Sequence, residues 1–371
     1  MKVIEKKIIN FLKEDPYEIS FDYKKKEFLE ILKLQIHYHK KNCLNYRIWY
    51  ENNKFKNPDN INNIDEIPYV PSSIFKKINL SSSKKLNRII SSSGSSGEKS
   101  TINIDKKTSL FQRTSLLKIL SNNLNNERKI FFIVDVEPLI KTNELNVSAR
   151  MAGMSGYLMA SNEKNYLLKF DKNKKLVIDY KQLSKLIKIN KKNSVVIIGY
   201  TYMIWMYLIK AYEFNYPKLK LNKNTKFIHF GGWKKLEEKK ISKSKFLLKI
   251  NKNFNIKKEN ILDIYGFSEQ LGTVYVSKGS SGCRVPSYAH VLVRDTKTLQ
   301  VINDGKPGFL QFLSILPLSY PGFSILNDDI GYISRKSIVG QIEKIEFKVK
   351  SRLANLEPRG CGDTLPKNYY V

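Results

Sequence analysis

The sequence predicts an α/β fold with a mainly parallel β-sheet followed by a β-rich part. Three observations lead to this class. Apolar runs typical of buried strands alternate with helical patterns between residues 107 and 265, as in proteins with parallel sheets. From about residue 272 onward, short β runs dominate. In a chain of 371 residues, 42% hydrophobic side chains suffice for one large domain or two unequal ones.

The first 67 residues are predicted to be mainly helical. Residues 1–18 mix charges of both signs with periodic apolar side chains, which indicates an amphipathic helix rather than a signal peptide. A second segment, residues 21–50, repeats large apolar side chains at helical spacing: Phe28, Ile31, Leu32 and Ile36. Pro68 and Pro71 then favour an extended segment that leads into the large domain.

The alternating region is predicted from the length and branching of its apolar runs. A short strand is expected at 88–90, and buried strands at 129–136, 195–199, 227–230 and 261–265. Helices are expected at 107–122, at 202–212 and from Trp233 onward. The later β runs are 274–276, 290–294 and 309–315.

A strong positive charge raises nucleic acid or an anionic membrane as partners. The formal net charge is +31, but 55 of the 65 basic residues are Lys and 10 are Arg. Specific recognition of bases and phosphates depends on the planar, bidentate Arg side chain. Because the Lys residues are spread along the chain among Asn and Ile, we predict no specific nucleic-acid partner.

Cysteine usage and hydropathy suggest a reducing environment. Cys43, Cys283 and Cys361 are too scattered for a disulfide framework or a zinc site, so a cytoplasmic location is expected. No run approaches the roughly 20 apolar residues of a membrane helix, and we expect no transmembrane segment.

A Ser/Gly-rich segment, SSSGSSGEKS from Ser91, follows the predicted strand at 88–90. Small residues let backbone N–H groups approach an anion, and serine hydroxyls add donors, so such a loop can hold the phosphates of ATP. The alternative is a flexible linker. The segment lies between a predicted strand and the next predicted helix, and this position favours the phosphate loop over the linker. The spacing between its Gly and Lys-Ser residues is not that of a Walker motif.

Two further segments place carboxylates near predicted strand ends. Tyr265 and Glu269 frame a turn after the strand at 261–265, where ligands of α/β sheets collect. Glu269 can bind Mg²⁺ and Tyr265 can stack on a base. The segment 327–331 offers Asp328 and Asp329 to a ribose diol or a metal. Taken singly, each segment is also explained by an ordinary turn.

Cys361 lies between Gly360 and Gly362 and close to Arg359. The glycines keep the thiol accessible, and a nearby cation favours the nucleophilic thiolate. The alternative is an inert cysteine in a tail.

Taken in order, five segments resemble the adenylate-forming ligase superfamily. Within it, they are most similar to the acyl-protein synthetases of bacterial bioluminescence, also called long-chain-fatty-acid–luciferin-component ligases. The segments are SSSGSSGEKS from Ser91, HFGGWKKL from His229, YGFSEQLGTVYV from Tyr265, FLQFLSILPLSYPGFSILNDDIG from Phe309 and RLANLEPRGCG from Arg352. They span about residues 68 to 363, with the segment ending NDDIG and the RGC ending the more specific ones.

The resemblance implies a role for each matching residue. The loop residues that would bind the pyrophosphate end of ATP are Ser92, Ser93, Gly94, Ser95, Ser96 and Gly97. Gly231 and Gly232 would lie against adenine and the acyl pocket, Tyr265 would flank adenine, and Glu269 would bind Mg²⁺. Asp329 would bind the ribose, Arg352 would lie near a domain hinge, and Cys361 would carry the acyl group.

The domain organisation implied is a large adenylate-forming domain, residues 1–335, and a short C-terminal domain or tail, residues 336–371. The chain departs from the superfamily in two places. Lys99 sits one position early in the phosphate loop, and the catalytic Lys of the mobile domain has no clear counterpart, Lys367 being a weak candidate.

The function implied is activation of a carboxylic, fatty acid by ATP and Mg²⁺ as an acyl-adenylate, followed by transfer to a thiol. The expected partner is an acyl-accepting reductase or transferase. Two other classes stay open at this point. One is an acyl-CoA ligase of the same superfamily, and the other is a basic nucleic-acid-binding protein. The chain length of the acid, the final acceptor and the oligomeric state are not fixed by the sequence.

Overall fold

The computed structural model of the protein describes residues 2–91, 100–138, 146–210, 220–233 and 238–352. Within them, the side chain of Arg352 is not described.

The N-terminal region is helical, as the sequence predicts. Its elements are α1 (Lys2–Lys13), α2 (Phe21–Asn42), α3 (Leu44–Asn52), the two-residue strand β1 (Val70–Pro71) and the short α4 (Ile74–Lys77). The predicted helical segment at 21–50 is divided at Cys43, whose backbone is extended. Buried Gln35 joins α2 to the large domain, because its Nε2 donates to the carbonyls of Ile315 (3.0 Å) and Pro317 (2.9 Å).

Strands and helices then alternate along the chain. The first group is β2 (Arg88–Ser91), β3 (Thr101–Ile104), α5 (Lys106–Asn123), β4 (Lys129–Val134), β5 (Asn146–Ser148), α6 (Ala149–Tyr157), β6 (Ser161–Tyr166), β7 (Leu168–Phe170), β8 (Leu176–Ile178) and α7 (Tyr180–Asn190). The second group is β9 (Val196–Tyr200), α8 (Thr201–Met203), which continues into a π-helical segment (Ile204–Lys210), β10 (Lys226–Phe230), α9 (Lys243–Phe254) and β11 (Ile261–Tyr265). The β-rich part contains β12 (Tyr275–Lys278), β13 (Cys283–Arg284), β14 (Ala289–Arg294), β15 (Gly308–Ser314), β16 (Ser324–Val339) and β17 (Ile342–Arg352).

One 12-stranded sheet joins the parallel and β-rich parts. Its strand order is β14-β15-β16-β17-β13-β12-β11-β10-β9-β4-β6, with β1 alongside β16. The pairs from β11 to β6 are parallel, whereas the path from β14 to β11 is antiparallel. This confirms the predicted α/β class, with the parallel strands forming one part of a mixed sheet.

The parallel strands are apolar throughout because both of their faces are covered. All residues of β9 are buried, as are the last four of β4. Continuous apolar runs of this length are expected for strands buried on both faces. The four strands predicted from such runs are confirmed to within two residues.

One local prediction was wrong. The segment at 92–99 does not lead into a helix, since β2 and β3, which it joins, pair antiparallel as neighbouring strands. The helix predicted from Trp233 onward begins on residues 234–237, which lie outside the described residues, so it stays a prediction. In the described part that follows, α9 begins at Lys243. The Oγ of Ser242 accepts a hydrogen bond from the Lys245 N–H (3.2 Å), which favours a helix start at that point.

The C-terminal strands lie within the large sheet. The predicted boundary between residues 335 and 336 falls inside β16, and β17 pairs with both β16 and β13. Residues 353–371 are outside the described part, so a separate C-terminal domain or tail stays a prediction. Over the described ranges, no helix has both the length and the apolar character needed to cross a bilayer.

Candidate active site

A cavity of about 1360 Å³ opens at the carboxyl ends of β10 and β11. We call it the site cavity. Its walls include Gly231 and Gly232 after β10, Tyr265 and Glu269 at the end of β11, and Asp329 in β16. The carboxyl ends of strands are the usual ligand position in α/β sheets. Five of the predicted site residues, far apart in the sequence, therefore line one space.

The Tyr265 hydroxyl joins β11 to β16. It donates a hydrogen bond to Oδ2 of Asp329 (2.7 Å) and accepts one from Nδ2 of Asn327 (3.1 Å). The ring of Tyr265 stacks on Phe312, with centroids 5.5 Å apart. Asp329 is only 5% exposed, and a buried carboxylate requires such a partner. These contacts fix the orientation of both side chains at the cavity wall.

The Glu269 carboxylate is half-buried in a short turn, Ser268–Gln270. Its Oε2 accepts a hydrogen bond from the Ser268 hydroxyl (3.0 Å), and its backbone carbonyl accepts one from the Tyr320 hydroxyl (3.0 Å). Gln270 Nε2 donates to the carbonyls of Phe312 and Gly322, both at 2.8 Å. The turn is therefore attached to β15 and to the loop before β16, which holds Glu269 in place.

A magnesium ion at this site would have Glu269 as a protein ligand. Among the described residues, no group of three or more His, Cys, Asp and Glu side chains could hold a metal. Mg²⁺ is commonly bound through one or two carboxylates together with substrate phosphates and waters. The donor set thus fits an Mg²⁺ that arrives with a phosphorylated substrate.

The backbone at Gly231 is held against an aromatic wall. Its φ is +69°, and a Cβ at this position would lie 3.1 Å from Cδ1 of Tyr200. The Thr201 hydroxyl donates to the Gly231 carbonyl (2.8 Å). Glycine is needed here for both the left-handed backbone and the close approach of the ring.

A buried ion pair supports Tyr200, and sequence reasoning missed it. Arg150 on α6 pairs with Asp135 after β4, donates from Nη1 to the Tyr202 hydroxyl (3.1 Å), and places its guanidinium 4.5 Å from the centroid of Tyr200. The Tyr200 hydroxyl donates to the Arg150 carbonyl (3.1 Å). Since the partners belong to separate elements, no local pattern in the sequence indicates this network.

A second cluster of polar residues involves β10 and β11. His229 of β10 and Asp263 of β11 are register partners in these two strands. His229 Nδ1 is 3.0 Å from the Thr201 hydroxyl and 3.7 Å from Asp263, and Lys243 donates to Asp263 at 2.8 Å. Burial lowers the pKa of His229, so the ring is neutral near pH 7. In the sequence, this cluster is indicated by polar residues within two otherwise apolar strands.

Part of the wall of the site cavity is apolar, which was not predicted from the sequence; this part is called the apolar wall. It includes Leu116 on α5, Leu247 on α9 and small residues of α6: Ala149, Ala152, Gly153 and Gly156. A Cβ on Gly153 would have no atom within 4 Å, whereas one on Gly156 would lie 2.7 Å from Leu116 Cδ2. The sequence signal was a helix with small residues at spacings of three and four, ARMAGMSGY.

The two cysteines within the described residues are both buried. Cys283 lines the site cavity, and burial raises the pKa of its thiol to about 12. Burial also raises the pKa of the Cys43 thiol. Neither is ionised to a useful extent near neutral pH.

Of the remaining predicted site residues, the structure describes only the backbone of Arg352. Arg352 is the register partner of Asp329 across β16 and β17, which brings the backbones of these two predicted residues together. The residues of the proposed phosphate loop, Ser92, Ser93, Gly94, Ser95, Ser96 and Gly97, lie outside the described residues, and so does Cys361. Their roles stay predictions.

Comparison with known proteins points to one family. The model of the family "Acyl-protein synthetase, LuxE" matches residues 2–370. A long-chain-fatty-acid–luciferin-component ligase from Aliivibrio fischeri is 25% identical over 353 residues, covering 93% of this chain and 89% of that protein. A ligase of the same name from Vibrio harveyi is 25% identical over 132 residues, covering 35% of this chain and 34% of that protein.

Solved structures show the same fold. An open conformation of 2-hydroxyisobutyryl-CoA ligase, in complex with its adenylate and CoA, superimposes with a TM-score of 0.63 at 11% identity. That alignment covers 92% of this chain and 77% of the ligase.

Replacement of Gly231 by Ala tests the close approach at the cavity. Gly340, in the turn between β16 and β17, provides a matched control, because its φ is +61° but a Cβ there would meet nothing within 4 Å. Gly340→Ala should cost about 1–2 kcal/mol for the left-handed backbone alone. Gly231→Ala should cost roughly 1–3 kcal/mol more, since the new methyl group must displace the Tyr200 ring. Urea unfolding measures both, and equal losses would rule out a clash with Tyr200.

Proposed function

The chain belongs to the acyl-protein synthetase family and is an acid–thiol ligase, and we propose that it activates a fatty acid with ATP and loads the acyl group onto its own Cys361. The observation that supports this proposal is the convergence of Tyr265, Glu269 and Asp329 on one cavity. The final acceptor in the proposal is a partner protein, an acyl reductase or transferase.

The first proposed step forms the acyl-adenylate. Asp329, held by the Tyr265 hydroxyl, accepts hydrogen bonds from the ribose diol, and the Tyr265 ring flanks the adenine. Glu269 would hold Mg²⁺, which when bound would offset charge on the phosphates. An oxygen of the fatty-acid carboxylate then bonds to the α-phosphorus while the bond to the β-phosphate oxygen breaks, and pyrophosphate leaves with the electron pair. Alignment and charge stabilisation supply most of the rate.

The apolar wall of the site cavity supports a fatty acid as the substrate. Leu116, Ala152, Gly153 and Leu247 offer hydrocarbon surface, and Gly153 leaves space beside the helix. Burying each methylene of an acyl chain against such a wall contributes about 0.8 kcal/mol. A polar or charged acid would gain nothing there.

The second proposed step transfers the acyl group to a thiol. A thiolate attacks the carbonyl carbon of the adenylate, the bond to the phosphate oxygen breaks, and AMP leaves with the electron pair. Buried Cys43 and Cys283 are poor nucleophiles because their pKa values are raised. Cys361, between two glycines and near Arg359, is the cysteine whose sequence surroundings favour an accessible thiolate.

Carboxylate-dependent exchange of pyrophosphate into ATP tests the first step. Wild-type protein with Mg²⁺ and a panel of fatty acids should catalyse exchange, and Glu269→Gln should lower the rate about a hundredfold while the fold is retained. Glu259→Gln, at an exposed position outside the cavity, is the matched control and should be unchanged. Absence of exchange with every acid, in folded wild-type protein, would overturn the adenylation proposal.

Covalent labelling with radioactive fatty acid and ATP tests the second step. Wild-type protein should carry a label that hydroxylamine removes, as it does from thioesters. Cys361→Ser should keep pyrophosphate exchange and lose this label, whereas Cys43→Ala should keep both. If Cys361→Ser still carries a hydroxylamine-labile label, another cysteine is the carrier. Unlabelled wild-type protein that instead turns over coenzyme A would identify an acyl-CoA ligase.

Filling space beside the apolar wall tests the acyl site. Gly153→Leu should shift the preference toward shorter acids, because the new side chain occupies space that the distal carbons need. We expect the ratio of kcat/KM for long over short acids to fall at least about tenfold, the scale of discrimination in apolar pockets. Gly153→Ala, which adds a single carbon, should have a smaller effect in the same direction. An unchanged chain-length profile in Gly153→Leu would place the acyl chain elsewhere.

A further inference from the structure

Lys76 lies at the wall of the site cavity and carries a buried ammonium group. The residue lies on α4 and lines the cavity, and its Nζ is inaccessible to solvent. Within the described residues, this Nζ has no hydrogen-bond partner. The adjacent Lys77 is exposed and does not line the cavity. Two neighbouring lysines on one short helix thus have opposite environments.

Contacts on the N-terminal side of Lys76 attach it to the strand of Asp329. Val70 and Pro71 of β1 pair with Ile325 and Leu326 of β16. The Ser72 hydroxyl then donates to Oδ2 of Asp328 at 3.5 Å. Residues 70–72 are therefore fixed beside the segment that ends in Asp329.

Contacts next to Lys76 attach it to the turn of Glu269. The ring of Phe75 packs edge-on against Tyr320, with centroids 6.1 Å apart. The Tyr320 hydroxyl donates to the backbone carbonyl of Glu269 (3.0 Å). Lys76 is therefore positioned from two sides by the elements that carry the candidate nucleotide and metal ligands.

The other cations on the cavity wall have different surroundings. Arg88, Arg113, Lys240, Lys348 and Lys350 are exposed to water, and Lys243 pairs with Asp263 at 2.8 Å. The carboxylates on the wall are Asp263, Glu269, Asp328 and Asp329, and none of them lies within 4.0 Å of Lys76 Nζ among the described ion pairs. Removing an ammonium from water without a partner costs several kcal/mol. Extension of the Lys76 side chain toward an anion bound in the cavity would compensate that cost.

We propose that Lys76 contacts the phosphates of ATP and balances the charge that moves onto pyrophosphate as it leaves. The inference rests on the proposed adenylation. In this step the carboxylate oxygen bonds to the α-phosphorus, the bond to the leaving oxygen breaks, and the Lys76 ammonium keeps its protons throughout. Lys76 then acts in the half-reaction that releases pyrophosphate and has little part in the transfer of the acyl group to a thiol.

The test compares Lys76→Met with Lys77→Met and with Lys76→Arg. Lys76→Met should lower the rate of pyrophosphate exchange about a hundredfold, the scale of removing one group aimed at developing charge. It should weaken the binding of ATP about tenfold and leave the binding of adenosine unchanged. Acyl transfer from preformed acyl-adenylate should stay within about threefold of wild type. Lys77→Met should match wild type in every assay, and Lys76→Arg should recover part of the exchange.

The outcomes separate this inference from the function on which it rests. Exchange within twofold of wild type in Lys76→Met would overturn the assignment, and so would equal losses of ATP and adenosine binding. A large drop in Tm in Lys76→Met, with Lys76→Arg equally impaired, would indicate a structural role and also overturn it. If wild-type protein binds ATP but exchanges pyrophosphate with no acid, adenylation fails. The difference between ATP and adenosine binding then still decides whether Lys76 is a phosphate ligand.

Discussion

The hydrogen bond between Tyr265 and Asp329 connects the two parts of the sheet at the cavity. Tyr265 ends the last parallel strand, and Asp329 lies in the long antiparallel strand β16. In the strand order, β17, β13 and β12 separate these two strands, so the sheet must curve to bring the side chains within 2.7 Å. Buried Asp329 needs this partner, and the other wall residues depend on the same arrangement.

A cluster of aromatic rings maintains that geometry. Tyr265, Tyr275, Phe312 and Phe347 pack with centroid distances between 5.2 and 6.1 Å. Each ring comes from a different strand, so the cluster fixes β11, β12, β15 and β17 relative to one another. Since interiors are densely packed, the position of the Tyr265 hydroxyl is set by these contacts as well as by its hydrogen bonds.

Much of the fold and part of the site were predictable from local patterns. Apolar runs located the parallel strands, because their burial on both faces leaves a continuous signal. The segments after residue 261 located Tyr265 and Glu269, since strand ends in α/β sheets are recognisable positions. The strand β3, which pairs with β2 after the Ser/Gly-rich segment, was not predicted. Strand pairing depends on contacts that a hydrophobic pattern does not specify.

The missed features share one physical cause, which is that their partners are distant in the sequence. Asp135 and Arg150 meet only when α6 packs beside β4, and no local spacing marks them as a pair. Lys76 is even harder to identify from the sequence, because it is one of 55 Lys residues and is followed directly by Lys77. What distinguishes it is the loss of water around its Nζ, a property of the packed structure alone.

The environment of the cysteines shows how one cavity can favour a single acyl carrier. Cys283 lines the cavity in which the proposed acyl-adenylate would form, so its position alone would make it a competitor for the acyl group. Burial raises the pKa of its thiol to about 12, so very little of it is ionised at pH 7. Burial, which lowers the reactivity of this nearby thiol, therefore gives an accessible and more acidic thiol elsewhere the kinetic advantage.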